Sequence, residues 1–207
     1  MNSNLQLPDI NNCTIAVIGL GYVGLPLANE FAKNTHALIS EIKLSRKVIG
    51  FDIDTQRLSE LKAGFDRTKE ISTEDLVKGE SLVYSNDKKL LEKADVFIIT
   101  VPTPIDNFKR PDLGPLEKAS SMVGMAIKAR QEYSNNLSIV IYESTVYPGA
   151  IEEVCVPILE KVSGFSYNID FVCGYSPERI NPGDKKHRLT SIVKVTSGST
   201  PDSSEWI

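Results

Sequence analysis

Three glycines, Gly19, Gly21 and Gly24, stand between an apolar run, Thr14-Ile-Ala-Val-Ile18, and an amphipathic stretch that begins at Leu25. A buried strand that turns directly into a helix leaves little room for side chains in the turn. Each glycine has its own task there. Gly19 lets the chain reverse, Gly21 leaves the backbone bare for a phosphate to approach, and Gly24 lets the helix lie close on the strand. The first helical N–H groups lack helical partners and sit at the positive end of the helix dipole, so they face the same point. The segment predicts a dinucleotide pyrophosphate held by backbone amides, lined by Gly19, Leu20, Gly21, Tyr22, Val23 and Gly24. The plainer alternative is a glycine turn with no ligand.

The rest of the chain repeats the strand-then-helix order. Apolar, β-branched runs at 14–18, 48–51, 82–84, 96–101, 138–142, 169–173 and 191–196 read as strands. Helical stretches at 25–33, 55–63, 87–92, 115–131 and 151–162 fall between them. Continuous apolar strands imply burial on both faces, and strand–helix alternation implies crossover units. The expected fold is therefore α/β, a doubly wound and mostly parallel sheet of the Rossmann type, over residues 13–207 after a tail at 1–12. Two segments interrupt the pattern. Residues 34–47 exceed a normal helix-to-strand turn and predict an extra helical turn around 39–44. Residues 102–115 carry four prolines at a strand end, where open α/β sheets place their ligands.

Composition narrows the function. Hydrophobic residues at 41% and charged residues at 24% describe an ordinary folded protein, and the net charge of −4 gives no field to gather nucleic acid or an anionic membrane. A small phosphorylated ligand needs no such field. Cys13, Cys155 and Cys173 are odd in number and lack ligand spacing, and only two histidines, His36 and His187, accompany them, so neither a disulfide scaffold nor a metal site is expected. The first residues lack the features of a signal peptide, and no apolar run reaches membrane-spanning length, so the expected location is cytoplasmic.

Asp52 ends the second predicted strand. A carboxylate there accepts the adenosine ribose hydroxyls and repels a 2′-phosphate, which argues for NAD over NADP. Its separation from the glycines exceeds the usual ~20 residues, an excess that the 34–47 segment absorbs if it is a surface insertion. Asp54 competes for the ribose but fits better as the N-cap of the next helix. For Arg57, one turn into that helix, two readings stand: a cation near the adenine or ribose, and an ordinary solvated arginine.

With these residues in place, the chain resembles the UDP-glucose/GDP-mannose dehydrogenase family. The resemblance is carried by Ile18-Gly-Leu-Gly-Tyr-Val-Gly-Leu-Pro-Leu-Ala28, Gly50-Phe-Asp-Ile-Asp54, Val101-Pro-Thr-Pro104, Glu143-Ser-Thr-Val-Tyr-Pro-Gly149 and Ser176-Pro-Glu-Arg-Ile-Asn-Pro-Gly183, in family order. It implies an NAD-dependent enzyme that oxidises the C6 alcohol of a UDP-sugar to the uronic acid, with two NAD reduced, for surface polysaccharide biosynthesis. It also implies that Thr103 and Ser144 lie beside the cofactor, that Thr145 lines it too and positions a catalytic water, and that Glu178 acts as a substrate-side acid or base. Read from the residues alone, Thr103 is also a turn hydroxyl, Ser144 and Thr145 are also helix caps, and Glu178 is also a surface glutamate.

The chain departs from the family pattern in two places. Pro182 stands where many members have a second glutamate, and the Arg-Ile-Asn-Pro-Gly continuation looks more like the branch acting on UDP-N-acetylhexosamines than the UDP-glucose branch. The chain also ends at Glu205-Trp206-Ile207, before the connecting helix, the UDP-binding domain and the nucleophilic cysteine that the resemblance implies. Cys13, Cys155 and Cys173 lack that nucleophile's setting. The chain alone is therefore expected to be a dinucleotide-binding module without turnover, dimeric only as part of the full-length enzyme. Trp206 is expected to be exposed at this end.

Overall fold

A computed structural model describes residues 5–37, 41–76, 81–105, 110–132, 134–178 and 193–207. Its strands are β1 (Thr14–Ile18), β2 (Lys47–Phe51), β3 (Leu82–Ser85), β4 (Val96–Ile99), β5 (Ser138–Tyr142), β6 (Phe171–Tyr175) and β7 (Ser197–Gly198). They form one sheet in the order β3-β2-β1-β4-β5-β6-β7, parallel throughout except for the antiparallel β7. The order reverses between β1 and β4, which opens a crevice beyond their C-terminal ends.

The apolar runs become strands because the sheet is covered on both sides. Phe97 and Ile99 enter one core, with Val140, Tyr142 and Phe171 of neighbouring strands. Val96 and Ile98 enter the other, with Val17, Ile139 and Val172. Helices α1 (Gly24–Lys33) and α2 (Thr55–Lys62) serve the second core, while α4 (Gly114–Arg130) and α5 (Val156–Ser163) serve the first; α3 (Lys88–Leu91) is a single turn and α6 (Pro201–Trp206) closes the chain.

Local signals set the helix ends. The Asp54 side chain caps α2 by accepting the Gln56 and Arg57 amides, as expected. Asp112 accepts the Gly114 amide where α4 begins, whereas Asp106 of the same proline-rich segment lies outside the described residues. Ahead of α5, Ile151–Cys155 form a π-helical turn in which the Val156 amide reaches back to Ile151. Pro157 explains it, because it has no N–H for the carbonyl one turn earlier.

Four expectations change. No strand forms over 193–196; the chain pairs only at β7, and 191–192 lie outside the described residues. Over 41–44, the described part of the expected helical turn, no helix forms: His36 and Lys43 make an antiparallel bridge, and the Ala37 amide donates to the Ile42 carbonyl at 2.9 Å, while 39–40 lie outside the described residues. The Glu41 amide also donates to the Ala37 carbonyl at 3.0 Å, so a single local bond stands beside those made across the bridge. Residues 5–12, the described part of the expected tail, are tied down: Gln6 bridges Asn136, and Pro8 is buried. Trp206 is partly buried rather than exposed, because its indole N–H donates to the Pro8 carbonyl at 2.8 Å and its ring packs on the second core.

Candidate functional site

At the sheet's reversal point lies a cleft of about 990 Å³. One wall is the turn from β1 into α1. Gly19 adopts φ +96°, a left-handed conformation open chiefly to glycine. A Cβ on Gly24 would lie 1.9 Å from the Gly19 carbonyl oxygen and 2.3 Å from Thr100 Oγ1, so the helix can sit here only without a side chain. At Gly21 a Cβ would meet nothing within 4 Å; that space belongs to the cleft. The α1 N-terminus has no side-chain cap and no acidic residue in its first turn, which leaves its positive end to an anion. The bare approach at Gly21, the uncapped helix and the carboxylate of Asp52 fit a dinucleotide.

Asp52 reaches the turn despite its distance in sequence. Its Oδ2 accepts the Leu20 amide at 2.7 Å and its Oδ1 the Asp54 amide at 2.9 Å. A carboxylate offers about four acceptor sites, so capacity remains for ribose hydroxyls. Arg57 is placed differently from both readings of the sequence. It is only 2% exposed, so it is not a solvated arginine, and it stands behind the turn rather than on the cleft wall. Its Nε donates to the Leu20 carbonyl at 2.8 Å and its Nη2 lies 2.8 Å from Asp66 Oδ1. Burial of the guanidinium demands a counter-charge, and Asp66 on the protein side provides it.

The opposite wall comes from the ends of β4, β5 and β6. Thr103 Oγ1 donates to the Thr145 carbonyl at 2.7 Å, and Ser144 Oγ donates to the Val101 carbonyl at 2.6 Å. The two hydroxyls thereby stitch the β4 and β5 loops together, and neither Ser144 nor Thr145 caps the following helical turn, whose N-cap, Ala150, has no side-chain bond. Thr145 is exposed and lines the same cleft as half-buried Glu178. The later part of that motif, 179–183, lies outside the described residues.

Three residues that the sequence reading did not single out also shape the site. Thr100 Oγ1 donates to the Gly19 carbonyl at 2.7 Å and the Ile18 carbonyl at 3.0 Å, pinning the turn from the β4 side. Glu143, 7% exposed at the end of β5, is ion-paired with Lys194 and lines the cleft with Glu178. Burial pushes the Glu143 carboxyl above its usual range, and Glu178 adds to the rise, while Lys194 holds it down in part. The available signal was a charge at the end of an apolar run for Glu143 and a charge inside one for Lys194.

The cysteines take no part in this cleft. All three are buried as free thiols. Burial pushes the Cys13 thiol up to about 11 and raises those of Cys155 and Cys173, so they behave as small core residues rather than nucleophiles. Among the described residues no group of acidic, histidine and cysteine side chains could hold a metal ion, and no helix is long and apolar enough to cross a membrane.

Comparison with known proteins agrees with the fold. Residues 13–206 match the UDP-glucose/GDP-mannose dehydrogenase family, NAD binding domain. A UDP-N-acetyl-D-glucosamine 6-dehydrogenase of Pseudomonas aeruginosa is 53% identical over 193 residues, covering 93% of this chain and 42% of that protein. Protein CapL of Staphylococcus aureus is 53% identical over 189 residues, 91% of this chain and 40% of that protein. The crystal structure of NDP-N-acetyl-D-galactosaminuronic acid dehydrogenase from Methanosarcina mazei Go1 superimposes with a TM-score of 0.77 at 26% identity, covering 94% of this chain and 40% of that one. The chain thus spans 40% to 42% of the length of these relatives.

Proposed function

The chain belongs to the UDP-glucose/GDP-mannose dehydrogenase family as its NAD binding domain, and from that premise we propose that it is the cofactor half of a nucleotide-sugar 6-dehydrogenase acting on a UDP-N-acetylhexosamine. The observation that carries the reading is the shared cleft: a bare glycine turn and Asp52 on one wall face Thr145 and Glu178 on the other. Bound NAD would supply the hydride acceptor for the sugar C6, and oxidation of an alcohol to an acid takes four electrons, hence two NAD. This chain's residues do the holding. Gly21 to Gly24 would offer their backbone amides to the pyrophosphate, with the Gly19 and Leu20 amides tied to the Phe51 carbonyl and Asp52, and Asp52 accepts the ribose hydroxyls and excludes a 2′-phosphate. Thr103 and Ser144, fixed to backbone carbonyls, set the floor beside the nicotinamide. The Thr145 hydroxyl orients a water, and the Glu178 carboxylate takes up its proton.

The branch reading is supported by the 53% identity to a UDP-N-acetyl-D-glucosamine 6-dehydrogenase and by the Arg-Ile-Asn-Pro-Gly continuation after Glu178. The uronic acid product suits surface polysaccharide biosynthesis in the cytoplasm. A second reading rests on the buried cysteines: this chain by itself is a dinucleotide-binding module without turnover.

The protein carrying this domain, given NAD and UDP-N-acetylglucosamine, is expected to form two NADH per sugar consumed. One NADH per sugar, or reaction with UDP-glucose and with no UDP-N-acetylhexosamine, overturns the assignment. Steady NADH formation by this chain alone overturns the second reading.

A further inference from the structure

We propose that Asp66, a residue outside the cleft, is a positioning residue for the dinucleotide site, acting through Arg57 on the Leu20–Gly21 peptide. The inference rests on the NAD-binding reading of the cleft and extends it to the loop that follows α2.

Two successive peptide units make up the glycine turn. The unit joining Gly19 and Leu20 is held at both edges: its N–H donates to Asp52 Oδ2 at 2.7 Å, and its carbonyl accepts from Thr100 Oγ1 at 2.7 Å. The next unit carries the Leu20 carbonyl on one edge and the Gly21 N–H on the other. A trans peptide is planar, so these two groups point in opposite directions. Arg57 Nε grips the Leu20 carbonyl at 2.8 Å from behind the turn. Holding that oxygen back turns the Gly21 N–H the other way, at the position where a Cβ would find open cleft. The amide that an anionic ligand would meet is thus aimed by a side chain the ligand need not touch.

Arg57 is aimed in turn. Its guanidinium is buried, and its ion-pair partner among the described residues is Asp66, whose side chain is 1% exposed. Asp66 cannot swing away, because its carboxylate also accepts the amides of Thr68 at 3.0 Å, Glu70 at 2.9 Å and Ile71 at 3.0 Å, with the Thr68 hydroxyl at 2.7 Å. The loop from Asp66 to Ile71 therefore fixes the carboxylate, the carboxylate fixes the guanidinium fork, and the fork fixes the turn. A lysine could not reproduce this, since one ammonium lacks the fork that bonds a carbonyl and a carboxylate together.

The competing account is that Asp66 and Arg57 merely fasten the loop to α2. The test separates them with Asp66→Asn and Arg57→Lys in the 207-residue chain, at a temperature where circular dichroism shows each fully folded. Two readouts are taken: NAD affinity by calorimetry, and the backbone amide resonances of Leu20 and Gly21 in the free chain. Positioning predicts an affinity about 3- to 30-fold weaker, with both amide resonances moved and those of β6 unmoved. Wild-type affinity with unmoved Leu20 and Gly21 resonances overturns the proposal. Should the charge variants not fold, Thr68→Val removes one donor to the carboxylate and leaves both charges; its smaller shift of the same two amides decides the matter, and no shift counts against positioning. If the wild-type chain binds no NAD, the cofactor reading fails on its own, while the amide readout still judges the clamp.

Discussion

Along the wall formed by β1 and β2, the contacts that shape the site run from side chains to the backbone of one turn, with Asp52, Arg57 and Thr100 gripping Gly19 and Leu20. Along the wall formed by β4, β5 and β6, the contacts run between loops: two hydroxyl stitches and the Glu143–Lys194 pair join segments far apart in sequence. The first wall presents amides in a fixed direction, as anion binding by backbone requires. The second presents side chains, Thr145 and Glu178, on segments held by a few bonds. On the proposed function, binding falls to the first wall, stiff in the sense that its turn is gripped from three sides, and proton handling to the second.

The sharpest way to break the contrast is Gly24→Val. Its Cβ would overlap the Gly19 carbonyl at 1.9 Å, so the stiff wall should lose about 3 kcal/mol of stability, read as a fall in the urea midpoint. Next comes Gly21→Val, whose Cβ meets nothing in the protein. The urea midpoint should hold while the calorimetric signal for NAD is lost. Asp52→Ala should weaken NAD by roughly 1.5–3 kcal/mol, the range for a lost hydrogen bond to a charged group. On the other wall Ser144→Ala removes one stitch and should cost only about 1 kcal/mol of stability. Equal losses for Gly24→Val and Ser144→Ala would erase the difference between the walls.

The smallest effect is in the pH dependence, where the walls should differ in sign. At Asp66, burial pushes the pKa up, but hydrogen bonds from Thr68, Ile71 and Arg57 outweigh it and hold the carboxyl below its ordinary 3.8. Its stabilisation is complete above that ordinary value and is lost as pH falls through the depressed folded one. Glu143 runs the other way: burial raises its carboxyl above the ordinary 4.5, so its contribution is complete below that value and is lost as pH rises through the folded one. Urea midpoints against pH for Asp66→Asn and Glu143→Gln should therefore depart from the parent with opposite slopes.

The stiff wall was largely legible in the sequence because its signals are local. A strand, three glycines and a helix are contiguous, and Asp52 ends the next apolar run. Arg57 marks where that legibility stops: its helical position was readable, but its direction depends on Asp66, whose carboxylate is held by a loop with no periodic pattern. The second wall was read mostly through family resemblance. Nothing local tells Ser144 to bond Val101 rather than cap a helix, since the choice depends on β4 and β5 lying side by side. Trp206 misled for a similar reason, because its partner, Pro8, comes from the opposite end of the chain.

The central claim is that the cleft between Gly21 and Thr145 is an NAD site whose wall at Asp52 rejects a 2′-phosphate. Calorimetric titration of the purified chain with NAD, and with NADP alongside, tests it most directly. The account predicts saturable binding of NAD and little or none of NADP. Equal binding of the two, or heat from neither, would contradict it.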